Sequence, residues 1–170
     1  VRFRIPIQLT AQPTAAQLAP VAGGILFGLS SFEVSPDGRM LALVARATTS
    51  DPWSLFVRPI GAMSPQPLTT VDDSRAQPFW SPDGRSIAFC QERIVNPASR
   101  VIVSALSVVD VASGTVRVVT PGDAVQPVWS PSGERLAYWA NAGGQRDIYT
   151  IAAAGGTPVK VTDDPEFDWA

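Results

Sequence analysis

After about residue 31, apolar and polar residues alternate with a period of two in short runs, broken by clusters of Pro, Gly, Ser and Asp. Alternation of this kind puts successive side chains on opposite faces of a strand, whereas a helix needs a stripe at 3.6-residue spacing, and no long stripe occurs. The runs fall into three groups. Met40–Ala45, Ser54–Arg58 and Gln66–Thr70 form the first, and Gln77–Trp80, Ser86–Gln91, Val103–Val111 and Val116–Thr120 the second. Arg135–Ala140, Asp147–Ile151 and Thr157–Thr162 form the third. Valine, isoleucine, tyrosine and tryptophan fill the runs, and turn residues bound them. The pattern predicts an all-β fold, with strands over most of 31–165 and no helix longer than two turns.

The groups are copies of one unit. Val34-Ser35-Pro36-Asp37-Gly38 returns as Trp80-Ser81-Pro82-Asp83-Gly84 and again as Trp129-Ser130-Pro131-Ser132-Gly133. The serines fall at 35, 81 and 130, giving spacings of 46 and 49 residues. Proline presets φ at the first turn position, aspartate bonds backbone amides and glycine accepts positive φ, so each copy reads as a tight turn between two strands. Four short strands per unit, at a period of about 40–50 residues, predict the blades of a β-propeller. The expected blades are 31–76, 77–125 and 126–165, with a further one starting at 166–170, where Trp169 repeats Trp80 and Trp129. Residues 1–30 are expected to be an N-terminal strand and linker. The start at Val1 and the end within a motif read as a segment of a longer polypeptide. Three blades cannot close a ring, so the remainder of the propeller or a second copy is expected to cover the terminal blade faces.

The repeat resembles that of the TolB-like propellers. Their aromatic-Ser-Pro-Asp-Gly turn, Leu-Ala-aromatic strand, Asp-Ile-Tyr strand and closing Val-x-x-Leu-Thr strand have counterparts here. These are Trp129-Ser130-Pro131, Leu136-Ala137-Tyr138, Asp147-Ile148-Tyr149 and Val159-Lys160-Val161-Thr162. Two positions depart from it, Ser132 for aspartate and Val34 for tryptophan. The resemblance covers about 31–170 and implies a bacterial, extracytoplasmic, non-enzymatic scaffold for protein–protein interaction or ligand sensing, with a protein partner. It also admits the substrate-gating propeller of a prolyl-oligopeptidase-like serine peptidase. The opening Val1–Ile7 is similar to sensor propellers that follow bacterial Ser/Thr kinase domains.

Composition narrows the chemistry further. The chain has 170 residues, a formal charge of −2 and no histidine. Lack of a basic field argues against nucleic acid or an anionic membrane as partner. Without histidine, Ser-His-Asp and Cys-His catalysis and histidine metal ligation are removed together. The lone Cys90 allows neither a disulfide nor a tetrahedral zinc site, and its place in Ser86–Cys90 reads as a small core residue. No Gly-x-Ser-x-Gly elbow or Gly-x-x-x-x-Gly-Lys loop is present. Asp37 and Asp83 read as turn caps, and Asp72-Asp73 and Asp163–Glu166 as solvated connections without calcium-loop spacing. No catalytic, cofactor or metal residue is therefore assigned. Candidate interaction residues are Trp53, Arg93 and Arg100, on the long hairpins between second and third strands, where binding side chains concentrate.

Overall fold

The structure, a computed structural model, describes residues 28–162 apart from 47, 63, 72–74, 97–100, 121 and 143–144. For 92–96, 101–103 and 142 it describes the backbone alone. The expectations for 1–27, Asp72-Asp73, Arg100, Asp163–Glu166 and the start of a further blade with Trp169 lie outside the described residues.

Twelve strands are described, β1 Gly28–Val34, β2 Met40–Arg46, β3 Ser54–Pro59, β4 Gln66–Thr70, β5 Pro78–Trp80, β6 Ser86–Asn96, β7 Val101–Asp110, β8 Val116–Thr120, β9 Val125–Trp129, β10 Arg135–Ala142, β11 Gln145–Ala152 and β12 Val159–Lys160. They form three four-stranded antiparallel meanders, β1–β4, β5–β8 and β9–β12, each pairing strictly in chain order. Contacts between neighbouring sheets gather at their first strands, where β1 meets β5 and β5 meets β9. Inner strands that converge on one axis, with outer strands β4, β8 and β12 splayed away from it, are the geometry of propeller blades.

The core lies between the sheets. Ala42, Val44, Leu55 and Val57 of the first sheet pack on Trp80, Ile87, Phe89 and Val109 of the second. Ala88, Leu106, Val108 and Val119 of the second pack on Leu136, Tyr138, Ala140 and Ile151 of the third. Ile87 and Phe89 therefore face one neighbour while Ala88 between them faces the other, which is why the middle sheet is apolar on both sides. Cys90 packs against the second cluster. On the far side of the third sheet, Val128, Val159 and Val161 stay 63, 56 and 58 % exposed.

The hairpin of the second blade departs from the expected pattern. Gln91–Arg100 reads in the sequence as a connection, yet β6 and β7 stay paired to Asn96 and Val101. Ile94, Val95, Val101, Ile102 and Val103 are β-branched, and pairing satisfies backbone groups that a loop would leave to water. The corresponding strand of the first blade ends at Arg46, the repeat equivalent of Glu92. The second-blade hairpin thus reaches four residues further, roughly 13 Å at strand rise. The first strand, by contrast, begins earlier than its motif suggests, at Gly28.

The three repeat turns share one bonding scheme. In the second, the Ser81 hydroxyl donates to the Asp83 carboxylate (2.6 Å), which also accepts the Arg85 N–H (3.0 Å), while Ser81 Oγ accepts the Ser86 N–H (2.9 Å). The first turn repeats this through Ser35, Asp37, Arg39 and Met40 at 2.6, 3.1 and 2.9 Å. Both carboxyls are held below the usual range, first by the serine hydroxyl and then by the arginine backbone N–H. In the third turn Ser132 replaces the carboxylate, and its contacts to Ser130 Oγ and Glu134 N–H lengthen to 3.2 and 3.4 Å. Ser132→Asp restores the carboxylate acceptor but sets it beside Glu134, which stands where the other turns carry Arg39 and Arg85 and already contacts Ser132 Oγ at 3.4 Å, so it is expected to change stability by less than about 0.5 kcal/mol at neutral pH. Urea midpoints of the two chains check it.

Glycine at the end of each turn is a backbone requirement. Gly84 lies at φ 69, and no atom stands within 4 Å of where a Cβ would be. The cost of Gly84→Val is therefore conformational, roughly 1–2 kcal/mol for a β-branched residue in the left-handed region. An unchanged melting temperature would contradict the turn assignment.

Candidate functional site

In a meander the first strand starts at the same end of the blade as the second–third hairpin and the exit of the fourth strand. The starts of β1, β5 and β9, the β2–β3 and β6–β7 hairpins and the β4–β5 connection therefore share one end. Here a cavity of about 390 Å³ opens between the inner strands, lined by Ser30, Ser31, Arg75, Gln77, Phe79, Cys90, Val125 and Gln126. A second hollow of about 370 Å³ continues along β1 and β5 past Phe32 to Glu33. Together they make a trough on the concave, axial side.

Two of the three inner strands are irregular where they form the mouth. Pairing of β1 with β2 slips between Leu29 and Ser31, leaving Ser30 as the extra residue. Pairing of β9 with β10 slips between Val128 and Val125, where Gln126 sits at φ 50. Bulges re-aim side chains and recur beside functional sites, and left-handed φ at a non-glycine residue costs about 1–3 kcal/mol unless its surroundings hold it. Here the Trp139 indole N–H holds it, donating to Gln126 Oε1 at 3.0 Å. Ser31, Gln77 and Gln126 occupy the same repeat position, and all three line the opening. On the other edge of the opening, the Ser31 hydroxyl donates to the Ala76 carbonyl at 2.8 Å, fastening the first blade to the second.

Deeper in the trough, Glu33 Oε2 accepts the Trp80 N–H at 2.6 Å. Burial pushes this carboxyl above its ordinary value, and the Trp80 N–H opposes the shift. The repeat tryptophans act as struts between blades. Trp80 Nε1 donates to the Glu33 carbonyl at 3.3 Å, and Trp129 Nε1 to the Phe79 carbonyl at 2.9 Å. Glu33 and Phe79 hold equivalent repeat positions, so one contact is made twice, and the large ring fills the gap between inner strands.

The three residues singled out from sequence are not gathered into one cluster. Trp53 lies at the mouth end, half-buried, with the Arg46 guanidinium 4.9 Å over its ring and Gly28 against its edge. It packs on the first core cluster and shields the start of β1. Arg93 is a strand residue opposite Val103 on the projecting hairpin, also at this end. Arg100 lies outside the described residues. Sequence reasoning passed over Ser30, Arg75 and Gln126, and the available signal was the recurring Gln-Pro before the inner-strand tryptophan.

No protein-family model matches the chain. The uncharacterized peptidase YuxL of Bacillus subtilis is 29 % identical over 120 residues, covering 65 % of this chain and 17 % of that protein. The uncharacterized protein Atu1656 of Agrobacterium fabrum is 25 % identical over 138 residues, covering 80 % of this chain and 44 % of that protein. The chain thus spans less than half the length of either relative. Among solved structures, a TolB of Agrobacterium tumefaciens superposes with a TM-score of 0.66 at 24 % identity, over 81 % of this chain and 47 % of that one. With inner strands converging on an axis, both faces of the middle sheet buried and the Ser-Pro-Asp-Gly turns in register, the three sheets are blades of a β-propeller, the fold they share with that structure.

Proposed function

We propose that this segment is a non-enzymatic propeller scaffold that binds a protein or ligand at the axial mouth, as part of a larger protein or complex. The observation that carries the reading is the recess at the axial mouth, bordered by the two inner-strand bulges at Ser30 and Gln126 and lying beside a projecting hairpin. Strained, re-aimed inner strands stabilise nothing obvious in the blades themselves, whereas they shape a recess. The likeness to TolB supports an extracytoplasmic setting. Among the described residues no helix is long and apolar enough to cross a membrane. The exposed face carrying Val128, Val159 and Val161 is assigned to the next blade or a second copy, since apolar faces of this kind are normally covered.

Two measurements on the purified chain test this. Ester and peptide turnover should be absent, and turnover abolished by a point mutation within the chain would overturn the non-enzymatic reading. A photo-crosslinking residue at Gln77 should capture a partner from the envelope fraction of the source cells, while the same residue at Val118 on outer strand β8 should not. Equal capture at both positions, or none at Gln77, would count against the mouth.

Similarity to the peptidase YuxL favours a second reading, the gating propeller of a serine peptidase whose catalytic residues lie elsewhere. The open reading frame beyond this segment decides between them. A Gly-x-Ser-x-Gly elbow followed by a late histidine supports the peptidase, and continued blades without such an elbow support the scaffold.

A further inference from the structure

The trough runs inward from the mouth to a carboxylate that the blades leave half used. On the reading of the mouth as the binding end, we infer that the inner trough seats a lysine or arginine side chain of a partner protein, with its charged head at Glu33.

Glu33 is the odd member of its repeat position. Glu33, Phe79 and Val128 each lie two residues before a turn serine, on the three inner strands, and only the first blade sets a charge there. Glu33 pairs with Ala42 in the ladder, and Ala42 packs on the second blade, so the Glu33 side chain is turned toward that blade. Its Oε2 takes the Trp80 N–H at 2.6 Å, whereas Oε1 takes no hydrogen bond among the described residues. The joint between blades does not require this carboxylate. At the next interface the Trp129 indole N–H bonds the Phe79 carbonyl at 2.9 Å, with a phenyl ring where the first blade carries the acid.

The surroundings decide what the open oxygen can receive. Glu33 and Phe79 line both the hollow of about 370 Å³ that leads in from the mouth and a further one of about 240 Å³, which Pro127, Val128 and Trp129 of the third blade complete. Among the described residues lining these two hollows, Glu33 alone carries a charge, while Arg75 lines the outer cavity. Burial is the larger influence on the Glu33 carboxyl and the Trp80 N–H the opposing one, with no cation among the described residues contributing. A partly desolvated carboxylate favours a positive donor, because charge-assisted hydrogen bonds are about twice as strong as neutral ones. The apolar lining suits the hydrocarbon stem of a long basic side chain, which packs along apolar surface while its head reaches a polar group. An anionic ligand would meet the Glu33 charge, and a purely apolar one would strip the carboxylate of water without pairing it.

The test titrates the isotope-labelled 170-residue chain with N-acetyl-Gly-Lys-Gly-amide and N-acetyl-Gly-Arg-Gly-amide, and with their neutral acetyllysine and citrulline counterparts. Backbone resonances of Phe79 and Trp80 are followed. At least one basic peptide should shift both and bind about tenfold more tightly than its neutral counterpart. Absence of shifts, or equal binding within both pairs, overturns the inference. Butylamine should bind no more tightly than the lysine peptide, and tighter binding would assign the trough to a free amine and overturn the protein source. Glu33→Gln keeps an acceptor oxygen for the Trp80 N–H and removes the charge. It should bring the basic peptide down to the level of its neutral counterpart, with the Trp80 indole resonance unmoved because that N–H bonds the backbone carbonyl. Should that variant fail to fold, Val128→Lys sets a rival cation at the same repeat position, and Val128 is exposed enough to accept it. This change should weaken the basic peptide about tenfold, whereas Val159→Lys, the same charge on outer strand β12, should not. Unchanged affinity in folded Glu33→Gln or Val128→Lys is fatal to the proposal. Partner capture through Gln77 without preference for the basic peptides would sink this inference while leaving the proposed function standing.

Discussion

Phe89→Ala is expected to destabilise the chain by about 3–5 kcal/mol, the range for emptying a buried aromatic site. Phe89 is fully buried on β6 and touches the cluster formed by Val44, Leu55 and Val57 of the first blade and Trp80 of its own. The ring therefore fills a gap between two sheets whose backbones are fixed by separate ladders, and neither sheet can collapse into the space alone. A stability of 5–15 kcal/mol is usual for a domain, so the loss would take a large share of the total. The adjacent Cys90→Ala serves as the control. Cys90 faces the other blade and is only partly buried, so its truncation should cost about 1 kcal/mol or less. Urea unfolding of both variants checks the pair. Similar midpoints would mean that the inter-blade core is not where the stability of this chain resides.

The contrast between Phe89 and Cys90 also shows what a sequence of this kind discloses. Period-two alternation within Ser86–Cys90 states that neighbouring residues face opposite ways, and the 46- and 49-residue repeat says which residues share a position. From those facts the strands, the three meanders and the turn chemistry of Asp37 and Asp83 are all legible. The Trp80 and Trp129 struts between inner strands were legible as well, since a repeated large residue at a strand end has to meet the neighbouring unit. The mouth was harder to see. Ser30 and Gln126 come into it through bulges, and a bulge depends on register between strands, which alternation in one strand does not encode. The reach of β6 and β7 was missed for a related reason. Glu92, Arg93 and Asn96 interrupt the apolar alternation, although backbone pairing does not require it.

A buried charge gives the remaining test, and its sign depends on which partner is removed. Asp147 on β11 is 1 % exposed, opposite Ala140, and one of its oxygens lies 3.1 Å from Lys160 Nζ. Its other oxygen, Oδ1, has no hydrogen-bond partner among the described residues. The lysine side chain is 36 % exposed, so the two ends of the pair differ in access to water. Lys160→Met strands a carboxylate in the wall between second and third blades, and removing one partner of a buried pair typically costs 3–5 kcal/mol. Partial exposure of the lysine discounts this to about 2–3 kcal/mol. Asp147→Val should cost less, about 1 kcal/mol or below, because Lys160 can turn its ammonium to solvent and valine suits a half-apolar strand. In the double variant the stranded charge is gone, so the loss should fall back near that of Asp147→Val alone, a coupling of roughly 2 kcal/mol in a double-mutant cycle. The cycle is measured by urea denaturation at neutral pH. Equal costs for the two single variants, adding in the double, would show that the pair behaves as a solvent-screened surface bridge and that the blade interface is wetter than its burial implies.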